Sequence, residues 1–372
     1  MTNCCFDDVA ILRDLNAGMT YQEIAMKYEC SRGTVYRIAV KHAARKNEAR
    51  INERKREKKE RRTAFLNEVI NATVTADVLD YLDGINDGSV DLWVTSPPYN
   101  VGKDYEQAGG TFSLTYYVGW LLQVCSEMAR TLTPNGVLCL QVGSTKLPNG
   151  APYPIDLLVT EHLRNMGLHF QNRIIWTQPH GLIPTTRLAE RHETILVFSR
   201  SHEHAFNPTP ARQPQKNPSK RAYKGPSKGK LSGNPLGAFP TNVWTDIGNV
   251  GHNSPDRKAC GDHPAPFPLK LAKRLVLLYS NPGALVGDPF CGTGTTCVAA
   301  VETGRGYTGA DLFYEDIRAE RLKSVAPDIV SILPGISNEV SAVWQAEAVK
   351  NEVSASSIDP DDLQDQYSIA FG

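Results

Sequence analysis

The sequence predicts an α/β protein with a mixed, mostly parallel sheet, preceded by a small all-α unit. Three observations carry this. Short apolar runs alternate with helical patterns from about residue 70 to 200 and again from 263 to 325, as strands joined by crossover helices do. Two of those runs end in loops rich in Pro or Gly. Residues 7–45 read as a helical unit.

The chain's 372 residues suffice for two or three domains and a sizeable core. With 41% hydrophobic and 22% charged residues it is neither collagen-like, nor a disulfide framework, nor broadly disordered. Forty basic residues balance forty acidic ones, but unevenly. Lys41–Arg62 holds eleven Lys/Arg against four Glu, and Ser199–Cys260 ten against three, each a net +7. Ile336–Gly372 holds one against seven, a net −6. Two basic regions in a neutral chain suit a polyanion partner; the plainer reading is two solvated charge-rich segments. The eight cysteines include no C-x-x-C pair, and Cys260 has poor ligand spacing to His252 and His263, so no metal site is expected. No signal peptide is apparent in MTNCCFDDVA, and no apolar run approaches the length of a membrane helix. The expected setting is the cytoplasm, with reduced thiols and no membrane contact.

Asp8–Leu12 opens a first helix and Asn16–Met19 ends it. Thr20 caps a second helix, with Glu23 three residues on as a capping box and Ile24, Ala25 and Tyr28 as the buried stripe. Ser31 caps a third, where Val35, Ile38 and Ala39 repeat the spacing. Residues 41–62 lack an apolar stripe and suit a solvated helix or a flexible linker. Strands are then expected at Val90–Thr95, Val137–Val142, Arg173–Trp176 and Thr194–Phe198. Between them lies a helix Tyr116–Arg130 with Trp120, Leu121, Val124 and Met128 inward. The stretch 201–262 is rich in Pro, Gly, Lys and Asn without periodicity, which reads as a functional insertion or disorder. Order returns with helix Leu269–Tyr279, strand Ala284–Asp288, helix Thr295–Thr303, strand Gly306–Asp311 and a helix around Glu315–Leu322. The acidic, Ser-rich end reads as a disordered tail.

Two loops carry the chemistry. After VDLWVT comes Ser96-Pro97-Pro98-Tyr99. The prolines fix φ and remove two amide donors, so the loop is rigid and offers acceptors. Ser96 Oγ and the Pro97 carbonyl could take both N–H groups of an exocyclic amine and leave its lone pair free, while Tyr99 offers a ring for a flipped base to stack on. The second loop, Asp288-Pro289-Phe290-Cys291-Gly292-Thr293-Gly294-Thr295-Thr296, turns from strand to helix. Its glycines allow close backbone approach. It is neither a P-loop nor a complete dinucleotide fingerprint. Asp311, 23 residues after Asp288, ends the next strand where a ribose hydroxyl would be held.

The pair of motifs resembles the amino-methylating DNA methyltransferases that act on adenine N6 or cytosine N4. The catalytic motif precedes the cofactor motif, as in the permuted β group of that family. The resemblance covers about 75–200 and 263–325. It also takes in Asp77 ahead of the catalytic strand, Glu127, Arg130, Leu132, Pro134 and Gly136 after it, and Arg191-His192-Glu193 before TILVFSR. The segment His263–Pro268 with Lys270 resembles the lead into the cofactor half. The resemblance implies a circularly permuted Rossmann-like methyltransferase fold, S-adenosyl-L-methionine as cofactor and double-stranded DNA as partner. Catalytic roles then fall to Ser96, Pro97, Pro98 and Tyr99. Cofactor contacts fall to Asp77, His263, Pro264, Lys270, Asp288, Phe290, Gly292, Gly294, Thr295 and Asp311. The setting is a bacterial or phage-infected cell, and a cognate restriction endonuclease is a possible companion. Family members with Ser before Pro-Pro-Tyr are usually cytosine-N4 enzymes and those with Asp usually adenine-N6 enzymes, so Ser96 favours cytosine. No Cys follows a proline, which disfavours methylation at cytosine carbon 5.

Residues 18–39 resemble the helix-turn-helix of bacterial and phage DNA-binding proteins. The second helix would present Arg32, Thr34, Tyr36 and Arg37 to a groove; the alternative is a helical hairpin for protein contacts. The basic insert would add Lys216, Lys220, Arg221 and Lys224 to the DNA surface. The expected domains are a helix-turn-helix 1–45, a basic helical linker 46–66, a catalytic half 67–200, a target-recognition region 201–262, a cofactor half 263–332 and a tail 333–372. A competing reading is a DNA-binding regulator with an accessory methyltransferase domain.

Overall fold

A computed structural model describes residues 8–102, 112–147, 149–178, 183–251, 253–326 and 331–336. The chain divides into two compact units, Met1–Thr63 and Ala64–Gly372.

In the first unit α1 (Asp8–Asn16) and α2 (Tyr21–Lys27) precede α3, which opens at Arg32. Ile11, Ile24, Ala25 and Val35 form its buried centre. The expected capping box is present: Thr20 Oγ1 accepts from Glu23 N, and the Glu23 carboxylate accepts from Thr20 N at 2.7 Å. Ser31 Oγ caps α3 by accepting from Thr34 N at 3.1 Å. The solvated helix expected for the basic stretch is part of α3, which continues unbroken to Val69, 38 residues in all. From Thr34 onward it contains no Gly or Pro, and Ala, Lys, Arg and Glu are good helix formers. Residues 48–61 are exposed along this stretch.

The second unit is built on a nine-stranded sheet among the described residues. The strands are β1 (Ala72–Ala76), β2 (Val90–Thr95), β3 (Leu132–Val142), β6 (His169–Thr177), β7 (His192–Ser199), β8 (Val243–Trp244), β9 (Leu285–Asp288), β10 (Gly306–Ala310) and β11 (Ser331–Ile336), in the order β11-β1-β10-β9-β2-β3-β7-β6-β8. Pairing is parallel from β11 to β3, antiparallel for β3·β7 and β7·β6, and parallel again for β6·β8. A small hairpin, β4 (Ser144–Lys146) and β5 (Pro152–Pro154), stands apart. The helices are α4 (Val78–Gly84), α5 (Leu114–Thr131), α6 (Ile155–Asn165), α7 (Pro255–Cys260), α8 (Leu269–Tyr279), α9 (Thr295–Glu302) and α10 (Glu315–Val325).

The unit's core forms two clusters. One joins α5 and α6 to β1–β3 through Leu121, Val124, Met128, Val159 and Leu138. The other joins α8 and α9 to β2, β7 and β9 through Leu275, Val276, Ala299, Val94 and Val286. From β9 the chain crosses outward to β10, and from β2 it crosses the opposite way to β3. The boundary between β9 and β2 is therefore a topological switch point, where an α/β sheet opens a crevice at its strands' C-terminal ends. The seam is tight: a Cβ on Gly287 would lie 2.2 Å from Trp93 Cζ3, so only glycine lets the buried indole lie across it.

The tail expected from residue 333 is corrected in part, because Ser331–Ile336 adds β11 to the sheet beside β1. Pro334 sits on this edge strand, where an absent amide is tolerated. Residues 337–372 lie outside the described residues. The insert is not wholly irregular either. Trp244 of β8 is buried beside β6, and Trp176 Nε1 donates to Ile247 O at 2.7 Å. Asp246 binds α8 with both carboxylate oxygens, accepting from Arg274 at 2.6 and 2.9 Å. Those bonds hold its carboxyl well below the usual carboxylate range.

Candidate active site

Four strand ends carry the site. The Ser96–Tyr99 loop follows β2, the glycine loop follows β9, Asp311 follows β10 and Asp77 follows β1. The parallel order β1-β10-β9-β2 aligns these ends on one edge of the sheet.

The Ser96–Tyr99 loop is braced from three sides. Tyr117 Oη on α5 donates to Pro98 O at 2.9 Å. Asn100, buried in the left-handed region (φ 57°), exchanges two 2.8 Å bonds with the Phe112 backbone. The Tyr99 ring lies over Gly143, where a Cβ would come within 2.9 Å of it. Ser96 Oγ and Tyr99 Oη are 3.3 Å apart. Tyr99 Oη donates to Glu193 Oε2 at 3.4 Å, and Gln141 Nε2 donates to the same oxygen. Burial raises the Glu193 carboxyl above its ordinary value, against those bonds. Gln141 Oε1 is buried and has no hydrogen-bond partner among the described residues.

A single carboxylate couples the two loops. Asp288 accepts from Thr95 Oγ1 at 2.6 Å on the Ser96 side. On the glycine-loop side it accepts from Thr296 Oγ1 at 2.7 Å and Phe290 N at 3.1 Å. It is fully buried, and burial pushes its pKa up to about 7.

The glycine loop has the open backbone its sequence implied. Gly292 (φ 49°) and Gly294 (φ 82°) are left-handed, and Gly294 caps α9. A Cβ on Gly292 would sit 3.0 Å from His263 Nε2. Burial and nearby Arg257 and Arg321 hold His263 down at about 4, hence neutral at pH 7. Asp311 accepts from Gly292 N at 2.8 Å and Phe313 N at 2.9 Å, and burial raises its carboxyl. Phe290 meets Trp120 of α5 edge-on, ring centroids 5.6 Å apart, so the half-buried Trp120 lines the loop as well as the core. Pro264 is half-buried beside His263.

Three of the other expected residues make contacts within the fold. Asp77 is the N-cap of α4, accepting from Leu79 N at 2.9 Å. Lys270 donates to Asp246 O at 2.9 Å, in the insert. Thr295 is buried and accepts from Arg321. Lys216 and Lys220 line a cleft of about 460 Å³ in the insert, together with Arg212, which stacks on Phe239 at 3.9 Å. Arg221 and Lys224 are exposed outside that cleft, Arg221 donating to Gly229 O at 2.7 Å. In the first unit Arg32 and Arg37 are exposed and Thr34 half-buried, Arg37 reaching Thr34 Oγ1 at 3.3 Å.

Two residues of the site were not foreseen. Arg318, wholly buried, donates to Gly292 O and Phe313 O at 2.8 Å. Arg321 donates to Thr293 O, Thr293 Oγ1 and Thr295 Oγ1 at 2.8–3.0 Å. Their i, i+3 spacing puts both on one face of α10, a signal present in the sequence as R-x-x-R.

Fold and site together define an α/β enzyme with a rigid acceptor loop and a glycine-lined loop at one switch point. The N6/N4 DNA methylase family model, described as DNA methylase, matches residues 90–319. The type II methyltransferase M.BglII of Bacillus subtilis is 37% identical over 276 residues, which is 74% of each chain. The DNA adenine methyltransferase YhdJ of Escherichia coli K12 is 28% identical over 69% of this chain and 83% of its own. The solved PvuII DNA methyltransferase, described as cytosine-N4-specific, covers 70% of this chain and 95% of its own at 20% identity and a TM-score of 0.51, a likeness of fold. The chain belongs to the DNA methylase family that modifies exocyclic amines.

Proposed function

We propose that the protein transfers a methyl group from S-adenosyl-L-methionine to the N4 amine of a cytosine turned out of double-stranded DNA. The observation that carries this is the Ser96-Pro97-Pro98-Tyr99 loop beside the glycine loop, the two joined through Thr95 and Asp288. Ser96 and the Pro97 carbonyl accept the amine's two N–H groups and leave its lone pair free. Tyr99 supplies the stacking face. Because the loop is held by Tyr117, Asn100 and Gly143 before any base arrives, the work of the site is positioning.

The residues present fit the cofactor. The left-handed backbone at Gly292 and Gly294 runs where a side chain would meet His263 or Arg318, and Asp311 stands at the end of the next strand. When bound, the cofactor supplies an electrophilic methyl group. Gly292, Gly294, Phe290 and Asp311 would hold it, with His263 and Pro264 as the wall. Asp288 and Thr295 act by shaping the glycine loop, Asp77 by capping α4, and Lys270 by fastening the insert.

The leading Ser96 supports cytosine; similarity to an adenine methyltransferase supports adenine N6 as the alternative. The basic insert, with Lys216, Lys220, Arg221 and Lys224, and α3, with Arg32, Thr34 and Arg37, are assigned to the DNA backbone and groove. That assignment requires DNA affinity to fall steeply with salt. Nucleoside mass spectrometry of DNA from cells expressing the wild type or Ser96→Ala tests the whole reading. N4-methylcytosine dependent on Ser96 supports it, N6-methyladenine moves it to the alternative base, and neither product overturns it.

A further inference from the structure

Transfer of a methyl group to a neutral amine leaves a proton to be removed. The amine's pair forms the N–C bond and the S–C pair returns to sulfur. The positive charge thus arrives on nitrogen, and one N–H proton must leave. Neither a hydroxyl nor a proline carbonyl is a strong base, so the acceptor loop alone has nowhere to keep that proton. An acceptor in line with the loop among the described residues is Glu193, at the start of β7. Its Oε2 receives the Tyr99 hydroxyl at 3.4 Å, and Tyr99 Oη is 3.3 Å from Ser96 Oγ. Gln141 of β3, whose Nε2 donates to the same oxygen, fixes the carboxylate toward Tyr99 rather than toward solvent. These distances are long for a proton path, as such bonds often are before substrate tightens them.

Resting on the reading above, we propose that Glu193 is a positioning residue that acts through Tyr99 and holds the proton shed by the methylated amine. The amine N–H bond breaks with its pair staying on nitrogen. The proton passes to Ser96 Oγ as the Ser96 hydroxyl proton passes to Tyr99 Oη, and the Tyr99 proton passes to Glu193, which becomes a neutral acid. Among the described residues the titratable groups acting on Glu193 are Tyr99 from the catalytic loop and His192 on its own strand. Its other named neighbours, Gln141 on β3 and Trp176 on β6, carry no charge. The carboxylate must be ionised to accept, so the rate falls on the acid side, at a pH above that of an ordinary glutamate.

The test is single-turnover methylation of target DNA across pH 5–9 by wild type, Glu193→Gln, Glu193→Asp and Tyr99→Phe. Thermal unfolding and 2-aminopurine fluorescence at the target base serve as readouts of folding and base extrusion. Glu193→Gln is expected to lose about 100-fold in rate at pH 8 and to lose the acid limb, while melting and fluorescence stay as in wild type. Tyr99→Phe keeps the ring but breaks the path, and should flatten the same limb; Glu193→Asp should restore it in part. An unchanged acid limb in both Glu193→Gln and Tyr99→Phe overturns the relay. A loss of rate accompanied by lost base extrusion also overturns it, since that is a structural role. A wild type that methylates no amine in DNA sinks the underlying reading itself, and is seen before any variant is compared.

Discussion

Asp288 allows the coupling between the two loops to be tested directly. Burial lifts its pKa from an ordinary 3.8 to about 7, although three donors favour the charged form. A count of protons explains why the neutral acid fits. Thr296 has one hydroxyl proton and two acceptors in reach, Asp288 Oδ2 at 2.7 Å and Val94 O at 3.2 Å. A protonated Asp288 can instead donate to Thr296 Oγ1, which frees the Thr296 proton for Val94 O. The folded chain thus holds this proton about three pH units more tightly than the unfolded chain. Its contribution to stability is complete below about pH 4 and is withdrawn as pH rises through 7. At about 1.4 kcal/mol per pH unit, the withdrawal is about 4 kcal/mol. Asp288→Asn mimics the neutral acid at every pH, keeping an acceptor for Thr95 and a donor for Thr296. In urea unfolding at pH 5, 6.5 and 8.5, the variant should match wild type at pH 5. It should become the more stable of the two as pH rises, by about 3 kcal/mol at pH 8.5, since only the two pH units between 5 and 7 contribute. A difference that does not change with pH, or a variant less stable at pH 8.5, refutes the argument.

Other expectations follow from single contacts. Gly287→Ala drives a methyl against the Trp93 ring at 2.2 Å, which should cost about 1–3 kcal/mol and lower the melting temperature by several degrees in a thermal scan. Gly143→Ala pushes on the Tyr99 ring at 2.9 Å. It should lower the single-turnover rate more than it lowers melting temperature, and equal retention of both counts against a stacking role for Tyr99. Arg321→Met removes three bonds to the glycine loop, so calorimetry should find S-adenosyl-L-methionine bound at least about tenfold more weakly. Asp246→Asn breaks the pairs to Arg274 and Lys270, and limited proteolysis should then cut the insert sooner.

The strands with continuous apolar runs were legible because burial on both faces leaves no polar position to confuse the pattern. VDLWVT became β2 and helix Leu269–Tyr279 became α8 at the residues read. The capping box at Thr20 was equally plain, since its signal is local. The catalytic and glycine loops were visible because Pro and Gly restrict or free the backbone wherever they stand. What stayed hidden depends on contacts far along the chain. Nothing local marks SILPGI as a strand; it becomes one by lying beside β1. Arg318 and Arg321 read as surface charges of a polar helix until the fold brings their guanidinium groups to the loop carbonyls. The role of Glu193 follows from a strand pairing that puts it across from Tyr99, 94 residues earlier.

The permuted strand order also bears on how the protein is made. Strand β2 waits for β9, 194 residues later in register, and β1 waits for both β10 and β11. At about 5–20 residues per second, a ribosome leaves those edges open for about 10–40 s. Unpaired strand edges recruit other strands. A chain released within the insert would therefore carry both Pro-Pro-Tyr and two exposed sheet edges, yet no glycine loop. Such a fragment is a seed for aggregation and not a weakened enzyme, so in a cell the protein's output depends on complete translation more steeply than its compact fold suggests.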